Sequence, residues 1–254
     1  MNEELVGRLE EKLYFNDSTK PEHSTKTTKS QLETQQKYCE RIQYFVDNAE
    51  ILKVQLDKEK HIKYCIKGLE SLSSSYEGLD SSRPWLVYWT VHALDLLDCH
   101  FDTSLKSKIV NFLGRWTLVS IGLWSFKDGK TCNINLLALC QNKDGGFGGG
   151  PGQISHLATS YAAMNAIAIM GADGFSDAYS IINKEAMKSF LMRVKSDTGC
   201  FQMHVNGEED TRAAYCACSI AAMLKFDIKS ELFNNTINYL ASCQNWDGGF
   251  GPSK

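Results

Sequence analysis

In TRAAYCACSIAAM (Thr211–Met223) one arginine interrupts a run of alanine and cysteine. Arg212 and Tyr215 are three residues apart, so on a helix they share a face. A guanidinium among small apolar neighbours requires an anion, because desolvating it unpaired is expensive. Two sources are open: a carboxylate just ahead of it, Glu209 or Asp210, or an anionic group brought by a ligand. Trp85 and Trp89 in RPWLVYW stand at i and i+4 and also project from one helical face. Two such rings either fill a core or line a long apolar slot.

Metal chemistry is poorly served. His156 has no partner three or four residues away, so the histidine pair of a helical zinc motif is absent. Cys216 and Cys218 lie about 200° apart around a helix and cannot share an ion from it. Core packing is expected of both, and no metal site is predicted in this chain. The loop GGFGGGPG (Gly145–Gly152), followed by an apolar run, has the outline of a phosphate cradle. It contains no G-x-G-x-x-G, no G-K-[ST] follows, and no strand precedes it, so a structural turn is the better reading.

The elements that must position these residues read as helices. Ile62, Cys65, Ile66, Leu69 and Leu72 recur at helical spacing within Lys58–Leu72. RPWLVYWTVHALDLLD (Arg83–Asp98) carries Pro84 in its first turn, where a missing N–H is harmless. Further helices are expected at 103–113, 156–170, 178–194, 208–225 and 230–243. Strand signals are weak, so the fold class is all-α.

CQNKDGGFG (Cys140–Gly148) returns as CQNWDGGFG (Cys243–Gly251), and SDTGCFQMH (Ser196–His204) between them keeps Asp197, Gly199 and Phe201. The phenylalanines at 147, 201 and 250 mark a period of roughly fifty residues, long enough for a glycine turn and two helices. Units of that size bury their apolar faces only by stacking. Glycine then makes the same turn each time while the Phe plugs the gap between units.

A composition of 43% hydrophobic and 22% charged residues is that of a globular chain, and a net charge of -3 leaves no basic footprint for nucleic acid. The acidic start MNEELVGRLEEKLYF lacks a signal-peptide core, and LVSIGLWSF (Leu118–Phe126) is too short to span a bilayer. Nine cysteines without framework spacing suit reduced thiols in a cytoplasmic protein. Residues 1–50 read as a polar, flexible segment, with Ser18–Ser30 as a linker, and residues 51–254 as the folded domain.

RPWLVYW, GGFGGGPGQ-x-x-HLA-x-x-YAA-x-NA, FQMHVNGEEDTRAAYCA and CQNWDGGFG together resemble the β subunits of protein prenyltransferases, the farnesyltransferases in particular. The resemblance covers roughly residues 55–113 and 138–251. It implies a partial α/α toroid whose inner helices line a funnel, and an α subunit as partner. It also implies transfer of farnesyl from farnesyl diphosphate to the cysteine of C-terminal CaaX proteins. On this resemblance Trp85, Tyr161, Arg212 and Tyr215 contact the isoprenoid diphosphate. Ser82, Trp85, Trp89, His156 and Ala158 line the peptide pocket, where Thr159 replaces a proline common in the family. A tryptophan at position 85 is expected to shorten the slot, favouring farnesyl over geranylgeranyl; a type I geranylgeranyltransferase β subunit is the nearest alternative. An isoprenoid cyclase would need a D-x-D-D acid, which is absent. A truncated, non-catalytic scaffold that binds the α subunit is a further alternative.

The family's zinc site uses an Asp-x-Cys pair and a later His, and no D-x-C occurs in this sequence. Zinc, and magnesium accompanying the diphosphate, are therefore expectations of the family without ligands here, and the chain alone is expected to be inactive. The stretch near 114–137 has no repeat register and reads as an insertion foreign to the family, either a retained intron or a lineage-specific loop.

Overall fold

A computed structural model of the chain describes residues 24–48, 51, 55–114, 141–150, 152–172, 176–227, 229 and 231–253. The stretch near 114–137 read as an insertion, from residue 115 on, and the first part of the polar N-terminal segment lie outside the described residues. The chain divides after Asp57 into two compact units.

The first unit holds helix α1, Lys26–Asp47, which corrects the reading of Ser18–Ser30 as linker throughout. A capping box starts it: the Thr28 N–H donates to Thr25 Oγ1 at 3.1 Å, and the Thr25 N–H donates to Thr28 Oγ1 at 2.8 Å. Threonine here does the work usually given to glutamate.

The second unit contains α2 (Lys58–Glu70), α3 (Arg83–Leu96), α4 (Thr103–Gly114), α5 (Leu157–Ala172), α6 (Lys184–Arg193), α7 (Thr211–Leu224) and α8 (Thr236–Ser242). Among the described residues the β features are isolated bridges only. Helices α3, α5 and α7 form an inner row, with α5 packed between the other two, while α2, α4 and α6 pack on α3, α5 and α7 respectively. The stripe expected on α2 faces the core: Leu69 and Leu72 are buried, and Ile62, Cys65 and Ile66 are partly so. Pro84 sits in the first turn of α3. Helix α5 is buried around most of its circumference, as an element flanked by two neighbours must be, and the face carrying Ala158, Tyr161, Asn165 and Ala168 is half-buried.

Three expected helices are shorter than their periodicity suggested. The stretch 178–194 breaks into a 3₁₀ segment (Ser176–Ile181) and α6, because Asn183 accepts the Ala186 N–H at 3.0 Å and starts a new helix. Likewise Asp210 caps α7, and Asn235 at φ 60° separates the 3₁₀ turn Glu231–Phe233 from α8.

All three copies of the repeat make the same turn. Bridges join Gln141 to Phe147, Lys195 to Phe201 and Gln244 to Phe250. Asn142, Ser196 and Asn245 donate their N–H groups to the carbonyls of Gly146, Cys200 and Gly249 at 2.7, 2.9 and 2.7 Å. Gly145, Gly199 and Gly248 hold φ of 100°, 99° and 88°, a region side chains rarely adopt. Their carbonyls accept from Gln141 Nε2, Lys195 Nζ and Gln244 Nε2 at 3.0, 2.9 and 3.1 Å. The N–H groups of Gly145 and Gly146 are already used, by Asn142 O and Asp144 Oδ1, so this turn offers neither to a phosphate.

The turn also seals adjacent repeats. A Cβ on Gly145 would overlap the Ala186 backbone in the first turn of α6, and one on Gly199 would overlap Asn235 ahead of α8. Phe147 and Phe201 are completely buried beside these seals. Among the described residues nothing lies within 4 Å of the same position on Gly248, and Phe250 is 59% exposed.

Gly199→Ala therefore combines backbone strain with a clash and is expected to cost about 3 kcal/mol or more. Gly248→Ala meets strain alone and is expected to cost about 1 kcal/mol. Urea unfolding of the two variants checks this; equal losses would refute the sealing role.

Candidate functional site

The first turns of the inner helices are held in register by carbonyls from the following loop. Arg83, Leu157 and Thr211 donate their N–H groups to Gly149, Met203 and Pro252 at 3.0, 2.7 and 2.8 Å. Each bond satisfies one of the orphan donors at a helix start. The side chains singled out from the sequence lie on these turns or just beyond them.

A row of rings crosses α3, α5 and α7. The Trp85 ring centroid lies 5.4 Å from Trp89 and 5.8 Å from Tyr161. Tyr161 in turn lies 5.5 Å from Tyr215, with their hydroxyls 3.5 Å apart. All four are within the range of favourable aromatic contact. Trp89 is 52% exposed and Tyr215 62% exposed, whereas Trp85 and Tyr161 are half-buried. The result is an apolar floor that deepens toward α5. Burial, reinforced by the Tyr215 hydrogen bond, pushes the Tyr161 hydroxyl well above the usual phenol range, so it stays neutral.

Tyr88 belongs to the same group although the sequence reading passed over it. Its ring lies 6.1 Å from Trp85 and 6.2 Å from Tyr161, and His92 stacks on it at 5.4 Å. Its position three residues after Trp85 was the available signal.

The Arg212 guanidinium is not buried: its side chain is 76% exposed, because the first turn of α7 opens to solvent. Of the two carboxylates considered, Asp210 is its partner. Arg212 Nε donates to both carboxylate oxygens at 3.0 Å, and Nη2 donates to Oδ2. The Asp210 carboxylate is only 5% exposed and also accepts the Arg212 N–H at 2.7 Å as the helix cap. These bonds hold its carboxyl below the usual carboxylate range, against the opposing effect of burial. Arg212 and Tyr215 face the same exposed side of α7, as their spacing required.

His156 Nδ1 accepts the Ala158 N–H at 3.1 Å, which places the proton of the neutral ring on Nε2. Burial, and then the neighbouring His204, lower its pKa, while Glu208 opposes them. The two imidazole centroids are 5.7 Å apart, and a Cβ on Gly207 would strike the His204 ring that rests against it. His204 and Glu208 were not foreseen, since neither stands at helical spacing from His156. Thr159 is buried and donates to Phe147 O at 2.6 Å, tying α5 to its own turn. Ser82 occupies the cap position of α3 without making a side-chain cap, so it joins the group only through the adjacent Arg83 N–H.

Cys216 is buried, its thiol pushed up to about 11 by burial, which fits a core role. Cys218 is exposed, which corrects the expectation of core packing; the same 200° that separates the pair turns it outward. Among the described residues no three His, Cys, Asp or Glu side chains group as a metal site, so no residue is assigned to zinc or magnesium. No helix among them is long and apolar enough to cross a membrane.

Comparison with known proteins accords with this architecture. Residues 56–254 match the Prenyltransferase alpha-alpha toroid domain family. The protein farnesyltransferase subunit beta of Arabidopsis thaliana is 39% identical over 198 residues, covering 78% of this chain and 35% of the relative. That of Saccharomyces cerevisiae is 32% identical over 213 residues, covering 83% and 43%. The chain thus spans less than half the length of these two relatives. The Candida albicans protein geranylgeranyltransferase-I complexed with GGPP superposes with a TM-score of 0.55 at 19% identity, over 79% of this chain and 55% of that one, which shows a shared fold.

The depressed Asp210 carboxyl makes a pH prediction. Its contribution to stability is full above its unfolded value near pH ~4 and is lost as pH falls through the lower folded value. Asp210→Asn keeps a capping side chain and removes the charge. Urea midpoints are expected to favour the parent at neutral pH and to converge below about pH 4; a gap that persists in acid would show that the charge pair is not responsible.

Proposed function

The chain belongs to the prenyltransferase α/α-toroid family, and from that premise we propose that it is the β subunit of a protein farnesyltransferase. The reaction joins the cysteine sulfur of a C-terminal CaaX protein to C1 of the farnesyl group. The carbon–oxygen bond to diphosphate breaks, the thiol proton passes to solvent or base, and diphosphate leaves. The observation that carries this reading is the aromatic floor on three helices, with a guanidinium on the same face as its outermost tyrosine.

On this reading Trp85, Tyr161 and Tyr215 receive the farnesyl chain, and Trp89 extends the floor toward the aliphatic residues of the peptide. Arg212 turns its solvent-facing nitrogens to an anion, the diphosphate or the peptide terminus, while Asp210 fixes its orientation. His156, neutral and with its proton on Nε2, presents a hydrogen-bond donor to the pocket it forms with Ser82 and Ala158. An α subunit completes the enzyme, which works in the cytoplasm. Zinc activation of the thiol and a magnesium counter-ion for diphosphate are family expectations, and no step here is assigned to residues of this chain through them.

Titration of the purified chain, alone and with a farnesyltransferase α subunit, by farnesyl diphosphate tests the proposal through tryptophan fluorescence. Saturable quenching with preference over geranylgeranyl diphosphate is expected, and Trp85→Thr should move that preference toward the longer chain by about tenfold. Arg212→Gln should weaken farnesyl diphosphate by roughly tenfold and leave farnesol unaffected. Equal or tighter binding of geranylgeranyl diphosphate by the parent protein would favour a type I geranylgeranyltransferase subunit instead.

A further inference from the structure

Three rings close a triangle within the aromatic group. Trp85–Tyr161, Trp85–Tyr88 and Tyr88–Tyr161 centroid distances are 5.8, 6.1 and 6.2 Å. Trp89 and Tyr215 each touch a single corner of it and are mostly exposed. Tyr88 differs from both. It is packed against the core, meets Tyr161 edge-on at 82°, and is covered by the nearly parallel ring of His92, at 12° on the next turn of α3.

We infer that Tyr88, braced by His92, sets the prenyl-chain length that the slot accepts, by fixing where Trp85 and Tyr161 stand. This rests on the proposed isoprenoid site, in which those two rings form the deep end of the floor. Tyr88 is a positioning residue, because it acts through its two neighbours. A tryptophan limits slot length only if it cannot swing aside. Trp85 meets Trp89, itself half in solvent, and the two corner rings Tyr88 and Tyr161. Removing the Tyr88 ring opens a space behind both corners at once, into which either ring can relax.

The test compares farnesyl and geranylgeranyl diphosphate binding by the parent chain and by Tyr88→Ala, Tyr88→Phe and His92→Ala, using tryptophan fluorescence with circular dichroism as the folding control. Tyr88→Ala is expected to raise the affinity for the longer diphosphate relative to the shorter by about tenfold. Tyr88→Phe should leave the ratio near the parent value, and His92→Ala should move it part of the way. If Tyr88→Ala fails to fold, Tyr88→Leu supplies the same reading with a smaller volume change. Folded variants that lose both ligands equally, or bind both as before, would overturn the inference while leaving the proposed function intact. A parent chain that binds neither diphosphate, alone or with a farnesyltransferase α subunit, would overturn the proposed function and the inference with it.

Discussion

The site depends on one repeated hydrogen bond, from the first N–H of an inner helix to a carbonyl in the next repeat's loop. Those N–H groups have no partner within their own helices, and a buried orphan donor is destabilising enough to dictate structure. Each loop therefore fixes the height of the helix before it. With Arg83, Leu157 and Thr211 so anchored, Tyr161 and Tyr215 fall at the same position, four residues along, and their rings meet. Trp85 comes within reach of Tyr161 for the same reason.

The same anchoring separates polarity by depth. Ser82, His156, Asp210 and Arg212 belong to the helix starts, and the aromatic rings lie further along. Three helix starts thus gather beside polar groups, their first N–H groups already taken by loop carbonyls. Asp210 keeps this from becoming a simple cationic patch. It binds one edge of the guanidinium and leaves the remainder outward, so that charge and direction are both defined.

What could be read from residues was whatever depends on local chemistry or repetition. Pro84 marked the start of α3, and the recurring glycine turn gave the stacking period before any contact was known. The readings that failed were those decided by packing or by an inconspicuous cap. Two threonines began α1 inside a segment that looked like linker, and Asn183 and Asn235 divided runs whose periodicity was continuous. Glu209 and Asp210 were indistinguishable as partners for Arg212 until the cap geometry selected the second. Tyr88 was hidden for a similar reason: RPWLVYW offers three aromatic side chains, and only the approach of α5 decides which of them turns inward.

Helix α5 carries a last implication. Buried against a neighbour on each flank and half-buried on its remaining face, it draws most of its stabilisation from those neighbours rather than from its own residues. The middle repeat is therefore the cooperative link of the array. A disturbance in the first repeat reaches the third through it, and the aromatic floor is assembled or lost as a unit.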